Sequence, residues 1–253
     1  TLPYYSLSKD MTSILENKSI NGSLNFSSSG SNNLKNTNNL VSKINNSFNY
    51  ASRGYFSNFG LKSNYSLYLA NSNAIGKNDS TFNSDPQIDG MSMVMFDTTL
   101  PLAKYKDLTT ETITPRISYR INPGNNMRDY SGTTKSVGIG NVFDLNRLGL
   151  SGDYEAGRSL TLGLGYKYDQ LENYQEDEAK DKYFEFNLAT VVRDQIETEI
   201  PSSSTINRKN SDLFGSLENK LYENLNLSYD FSLDNDLNTI NLHNIETEIS
   251  INN

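Results

Sequence analysis

The sequence predicts an all-β chain, built of roughly eleven or more long antiparallel strands of the kind that close into a barrel in lipid. Three observations lead there. First, Leu160–Thr161–Leu162–Gly163–Leu164–Gly165–Tyr166–Lys167–Tyr168 alternates apolar with small or polar residues without a break, and Leu225 to Leu233 does the same. Period two puts one side of a strand against an apolar medium and the other against a polar one. Second, the alternating segments run about nine to twelve residues, where a soluble strand averages about five or six and a tilted membrane strand needs about nine to eleven. Third, only 35% of the 253 residues are hydrophobic. That is thin for a soluble core, but it fits a barrel whose apolar side chains lie outside and whose lumen is wet. The abundant Asn and Ser also fit partial disorder.

The segments follow one another nearly from end to end. Ile20, Gly22, Leu24 and Phe26 open the series, and Ile44, Phe48 and Tyr50 are in phase within 40–50. Phe59, Leu61, Tyr65, Leu67 and Leu69 share a face, with Ser63 as the exception. Val94, Phe96, Leu100 and Leu102 come next, then Ile113, Ile117, Tyr119 and Ile121. A strand is expected over 141–153 and another over 159–169, followed by Phe184, Phe186 and Leu188. The last three are expected near 211–221, 225–233 and 239–251.

The links add a second signal. Residues 51–55, 103–110 and 154–158 read as short turns, and 72–90, 123–140 and 170–182 as long polar loops. Short turns on one side and long loops on the other characterise outer-membrane barrels. Pro123–Gly124–Asn125–Asn126 and Ala156–Gly157–Arg158 supply turn chemistry. The scheme fails at 194–210, a long link on the side that should carry turns; either a strand lies in Gln195–Ile200 or the region folds against the barrel mouth. Asn173–Lys182 is the best helical candidate and reads as a charged loop. Many Tyr fall at strand ends, among them Tyr50, Tyr119, Tyr154, Tyr168, Tyr183 and Tyr222, as in the aromatic girdles of a bilayer interface. Tyr is also favoured in any sheet.

Composition excludes several functions. A net charge of −8, with 22 scattered Lys and Arg, argues against nucleic acid as a partner. Absence of Cys excludes disulfides and thiolate metal sites. No apolar run of about 18 residues exists for a transmembrane helix. Residues 1–20 show no signal peptide, and the chain starts at Thr1; it reads as a processed, trimmed or partial segment forming one barrel domain over 1–253.

No enzyme signature emerges, and no cofactor is expected. His243, the single histidine, has no recognisable nucleophile or orienting acid beside it and reads as a surface or lumen residue. Nucleophile-elbow, zinc-protease, P-loop and Rossmann patterns are absent. Asp230, Asp234 and Asp236 resemble part of a calcium ladder but lack its Gly and terminal Glu, and mark a solvated turn. Gly138–Ile139–Gly140 precedes an expected strand rather than a helix, so it makes no phosphate cradle. Glu172, Glu176, Asp177 and Glu178 read as a solvated loop, with cation binding as the alternative.

Asn141–Val142–Phe143–Asp144–Leu145–Asn146–Arg147–Leu148–Gly149–Leu150, continuing Tyr154–Glu155–Ala156–Gly157–Arg158–Ser159–Leu160–Thr161–Leu162–Gly163, resembles the barrel of the lipopolysaccharide-assembly family LptD, also called organic solvent tolerance protein. That family carries an N-x-F-x-x-N-R element, an acidic-Gly-Arg turn and an alternating strand. Upstream, Leu100–Pro101–Leu102 to Thr114–Pro115–Arg116–Ile117 is similar to its paired strands. Downstream, Phe184 to Val192, Arg193–Asp194 and Ser211–Asp212–Leu213–Phe214–Gly215 resemble its later strands. Leu2–Pro3–Tyr4–Tyr5 is similar to the barrel's start; the resemblance is carried mainly by 91–251 and is patchier over 1–90.

The resemblance implies a Gram-negative outer-membrane barrel that receives lipopolysaccharide from a periplasmic bridge protein and releases it laterally into the outer leaflet, with a plug lipoprotein as partner. It singles out Asn141, Phe143, Asn146, Arg147, Gly157, Arg158, Pro115 and Arg116 as family-motif residues, read as structural or lumen groups rather than lipid contacts. The resemblance also implies many more strands than this chain encodes, an amino-terminal jellyroll that the reading does not find here and often disulfides, whereas the chain has no Cys and its last residues lack the aromatic typical of a finished outer-membrane barrel. Asn226, Ser228, Asp230 and Ser232 are expected to line a hydrated lumen, and Leu225, Leu227, Tyr229, Phe231 and Leu233 to face acyl chains. A porin or adhesin-type barrel, and a soluble extracellular β-sandwich or solenoid used for binding, are the alternatives.

Overall fold

The computed structural model describes residues 4–16, 20–35, 37–123, 135–149, 154–170, 182–198, 200–222 and 224–250. Thirteen strands form one antiparallel sheet: β1 (Tyr4–Asp10), β2 (Gly22–Lys35), β3 (Asn39–Ser52), β4 (Tyr55–Phe56), β5 (Lys62–Lys77), β6 (Gln87–Thr99), β7 (Leu102–Lys106), β8 (Thr109–Asn122), β9 (Gly157–Gln170), β10 (Lys182–Arg193), β11 (Leu213–Tyr222), β12 (Leu225–Leu233) and β13 (Ile240–Ile249). One five-residue helix, Thr12–Glu16, lies between β1 and β2. Along the sheet the order is β1-β2-β3-β5-β6-β8-β9-β10-β11-β12-β13, and each long strand pairs with its neighbour in sequence. This is the up-and-down arrangement of a barrel wall, with the expected long strands. Among the described residues the sheet is not closed, and β1 and β13 form its edges, exposed throughout.

β6 and β7 are one strand interrupted at Leu100–Pro101. Both keep a single register against β8, with Thr99 opposite Arg116 and Leu102 opposite Ile113. Pro101 has no N–H to give the ladder, while Leu100 N still donates to Pro115 O at 3.0 Å.

Two errors of the sequence reading have one cause. The segment 141–153 is not a strand: its described part, 141–149, is a run of turns, and β8 pairs directly with β9. Val142 and Leu148 are buried there, packed with Ile200, Ile206, Val191 and Phe214 instead of facing lipid. The residues 154–158 are therefore no turn between strands; they lead from that loop into β9. Gly138–Ile139–Gly140 likewise precedes turns, not a strand. Removing one strand reverses the side assigned to everything downstream, so the link 194–212 stands at the same end as 123–156. Among the described residues of 195–200 there is no strand, and Ile200 and the later Ile206 are at 2% exposure or less. The link expected over 72–90 shrinks to 78–86, because β5 and β6 extend into it. The 103–110 link is a two-residue hairpin at Asp107–Leu108. The loop acids Glu172 to Asp181, Tyr130, Leu150, Pro3 and most of Pro123–Asn126 lie outside the described residues.

Candidate functional site

The sheet has two chemically different faces, and register shows which residues share each. Running across the sheet, Ile113, Tyr166, Phe186, Leu217, Tyr229 and Ile245 stand side by side on one face. On the same face Ile117 adjoins Leu162, and Pro115 adjoins Leu164 and Leu188. Large apolar side chains here are open rather than packed: Ile117 is 51% exposed, Leu164 49% and Ile245 64%. A soluble sandwich presses two such faces together; here the apolar face meets no second sheet. Leu225, Leu227, Tyr229, Phe231 and His243 all lie on it. The Tyr girdle is only partly realised, since the rings of Tyr68 and Tyr154 meet at 45° with centroids 4.5 Å apart on the other face, and Tyr183 donates to Glu218 there at 2.6 Å.

The opposite face is polar. Asn226, Ser228 and Asp230, with Glu185, Glu218 and Glu246, line a cavity of about 460 Å³. Glu248 also borders it, yet among the described residues no three His, Cys, Asp or Glu converge closely enough to hold a metal ion. No described helix is long and apolar enough to cross a membrane.

The apolar band does not run the full length of the strands. Toward the β2–β3 hairpin, Ser28, Asn46 and Asn71 occupy the face that Phe26, Phe48 and Leu69 occupy two residues away. Ser28 donates to Asn46 at 2.7 Å, and Ser42 to Asn32 at 2.6 Å. Strands of 14 to 16 residues exceed the roughly nine to eleven needed to span a hydrocarbon layer. The outward face of that surplus mixes Ser and Asn with Leu34, Leu40, Ile44 and Ile75.

At the end where 123–156 and 194–212 meet, four charged side chains are buried together. Arg120 on β8, Arg193 on β10 and Arg147 from the loop surround the carboxylate of Glu155, all at 4% exposure or less. Arg147 Nε donates to Glu155 Oε2 at 2.5 Å, and its Nη2 donates to Oε1. Arg193 Nη2 also donates to Oε1, at 2.5 Å, and Arg120 Nη1 stands 3.6 Å from the same oxygen. Register explains the convergence: Ser159 on β9 is flanked by Arg120 on one side and Arg193 on the other. Further donors of Arg147 and Arg193 are used, whereas Arg120 Nε and Nη1 are buried without a hydrogen-bond partner. Arg147 Nη1 donates to Thr161 Oγ1 at 3.1 Å and its Nη2 to Ser159 Oγ at 3.1 Å, while Arg193 Nε donates to Ile206 O at 2.6 Å. Asn122 Nδ2 holds Glu155 O at 3.2 Å. Burial alone drives the Glu155 carboxyl up, but the guanidiniums of Arg147, Arg120 and Arg193 outweigh it and bring the group down to about 2. Asp144 and Glu197 add negative charge beside Arg120 and Arg193, so three cations face three carboxylates.

The family-motif residues divide. Asn141 staples its own turn: its Oδ1 accepts from Gly138 N at 2.9 Å, and its Nδ2 donates to Ser136 O at 2.8 Å and Arg147 O at 3.2 Å. Asn146 O accepts from Gly149 N at 3.1 Å. Phe143 rests over Gly163, whose added Cβ would stand 2.5 Å from the ring, and the Arg116 guanidinium lies 4.0 Å from the ring centroid. Arg116 grips Asp97 with two bonds, at 2.8 and 3.2 Å. Gly157 takes a φ of +79°, turning the chain from Glu155 into β9. Arg158 and Pro115 stand apart on the apolar face, Arg158 in an exposed pair with Asp194 at 2.8 Å.

Sequence reasoning missed Arg120, Arg193, Ser159 and Thr161. Their signal was available: each sits at a polar-phase position of an alternating strand, and pairing β8 directly with β9 brings them level.

A family model for LptD, described as LPS transport system D, matches residues 2–253. No curated protein matches the chain. The chain belongs to the LptD family, whose role is lipopolysaccharide transport and assembly in the Gram-negative outer membrane.

Proposed function

We propose that residues 1–253 form one barrel domain, a wall segment through which lipopolysaccharide is inserted into the outer leaflet. The single observation that carries this reading is the two-faced sheet. Leu, Ile, Phe and Tyr side chains stand open on one face, and Ser, Asn and carboxylates on the other. Acyl chains contact the first, and sugar head groups travel past the second. Acyl tails leave through a weakly paired seam, because a wet lumen is hostile to them. The edges β1 and β13 need strand partners in lipid, since an unpaired backbone row is too costly there. A periplasmic bridge protein delivers the lipid and a plug lipoprotein occupies part of the lumen. No step here makes or breaks a bond, so no residue is assigned a catalytic part, and the eight family-motif residues keep loops and strands in place.

The test is membrane assembly of Leu227→Arg beside Ser228→Arg. Leu227→Arg is expected to lose about 2–4 kcal/mol if it stands near the midplane, and the lumen variant to assemble normally. Equal assembly of the two would reverse the orientation and sink the reading.

A further inference from the structure

The outward face of β1, β2, β3 and β5 changes character along its length. Phe26, Phe48 and Leu69 form one row of the apolar face. Past that row β3 runs on to Asn39 and β5 to Lys77, which carries the wall about 20 Å further at the tilt of a barrel strand. The outward positions of β2, β3 and β5 there are Ser, Asn, Gly, Leu or Ile, and the first charge is Lys77 at the tip.

One place on this extension is built around an aromatic ring. Tyr5 stands opposite Gly30, and its ring lies over that glycine, where a Cβ would run into it. Ser28 Oγ donates to Asn46 Oδ1 at 2.7 Å, which uses its one proton. The Tyr5 hydroxyl, 3.1 Å from Ser28 Oγ, is therefore the donor of that pair, and the two bonds pin the ring to the sheet. The ring keeps one face open, with Tyr5 47% exposed. Ile44 adjoins Gly30, and Ser42 donates to Asn32 at 2.6 Å. Lys9, four residues along β1, stands opposite Phe26, where the apolar band gives way.

A flat ring among hydroxyl and amide groups suits a sugar, whose C–H face packs on the ring while its hydroxyls bond to Ser and Asn. A cation at the edge of the apolar band suits a phosphate. A phosphorylated glycolipid carries acyl chain, phosphate and sugar in the order in which this face offers the band, Lys9 and Tyr5. A phospholipid has the phosphate but no ring to lay on Tyr5.

We propose that the outward face of β1 to β3 beyond the Phe26–Phe48 row is a saccharide ledge, on which Tyr5, seated on Gly30, stacks a sugar of the lipopolysaccharide head group and Lys9 pairs with its phosphate. The proposal rests on reading the apolar face as lipid-facing, and it gives the head group a holding place outside the lumen. Loop lengths set the orientation. The two longest links, 123–156 and 194–212, leave the sheet at the end where the β2–β3 hairpin lies, and Asp107–Leu108 turns at the other. Long loops of an outer-membrane barrel lie outside the cell, so the ledge faces the leaflet that holds this lipid.

The experiment uses the full protein in phosphatidylcholine nanodiscs and, as probe, deacylated lipopolysaccharide with and without its phosphates. Saturation-transfer NMR reads the affinity, and heat-modifiable gel mobility reports a folded barrel. Tyr5→Ser is expected to weaken binding about tenfold. Gly30→Val, which pushes the ring off its seat while Tyr5 is kept, should weaken it likewise. Lys9→Gln should weaken the phosphorylated probe severalfold and leave the dephosphorylated one unchanged; an equal effect on both removes the phosphate contact. Folded Tyr5→Ser and Gly30→Val barrels with wild-type affinity would overturn the ledge. So would an Asn38→Cys hairpin that a membrane-impermeant maleimide cannot label on intact cells, because the ledge would then face inward. A wild-type protein without heat-modifiable mobility overturns instead the barrel reading beneath it.

Discussion

The inner wall of β2, β3 and β5 and the inner wall of β8 to β10 obey the same alternation, yet they end in different states. In the first, Ser27, Ser29, Asn45, Ser47 and Ser72 face the lumen and bond sideways, Ser27 with Ser47 at 2.7 Å and Ser72 to Asn45 at 2.6 Å. None of these five is buried. In the second, Ser118, Arg120, Ser159, Thr161, Val191 and Arg193 are all 4% exposed or less. The strands do not cause the difference, since both sets are long and regularly paired. Loops at one end cause it: three residues join β2 to β3, whereas the described parts of the two long links, 135–149, 154–156 and 200–212, pack against β9 to β12. Alternation makes a wall, and only loop length makes an interior.

The sharpest way to break that comparison is to remove the centre of the covered side. Glu155→Ala leaves three buried guanidiniums facing a gap and should destabilise by about 3–5 kcal/mol, as expected when one partner of a buried ion pair is lost. Ser47→Ala, equally inward but uncovered, should stay within about 0.5 kcal/mol. Unfolding in denaturant, followed by gel mobility, measures both. Comparable losses would mean that the charge cluster anchors nothing.

The two regions also differ in where lipid ends. Leu164→Lys, on the open apolar face of β9, should cost about 2–4 kcal/mol if it lies near the midplane, and Asn46→Lys, in the extension of β3 beyond the Phe26, Phe48 and Leu69 row, about 0–1. Folding yields in vesicles compare the two. A penalty at Asn46 matching that at Leu164 would put the extension in hydrocarbon.

How much of this was legible beforehand follows the same division. The walls were legible because period two is local: Leu160 to Tyr168 and Leu225 to Leu233 declare a strand and its two faces from nine residues each. The interior was not, because it is made by distant pairings. Asn141 to Leu148 has enough apolar residues to pass as a strand, but Val142 and Leu148 are six apart and point into a shared cluster, which needs Ile200, Ile206 and Phe214 to be seen. That one misreading put 194–212 on the wrong side. Arg147 was singled out by resemblance, but its partners Arg120 and Arg193 become neighbours only through the register at Ser159. β1 was not predicted as a strand, although Tyr5, Leu7 and Lys9 alternate.

Four residues before Arg120 on the same inner face, Arg116 ties β8 to β6 through Asp97. Arg116→Met keeps much of the contact with Phe143 but leaves the buried Asp97 carboxylate without its fork. A loss of about 1–3 kcal/mol is expected from an unsatisfied buried acceptor. Asp97→Asn in the same background should recover part of it, which a mere loss of packing at Phe143 would not allow.

The smallest expected effect is a flat line, and its position follows from the sign of the Glu155 shift. A carboxyl held at about 2 in the folded chain and near 4.3 when unfolded stabilises fully above the higher value. That stability is lost only as pH falls through the folded value, so the covered region should open between about pH 4 and 2 and not before. His243, the single histidine, lies on the apolar face of β13 beside Phe231, away from the cluster. Trypsin cleavage at Arg147 should therefore stay constant from about pH 8 to 6, where the protease works, while the uncovered side shows no pH dependence at all. Cleavage that rose across that window would mean that Glu155 is not the group holding the loop, whatever the three arginines do.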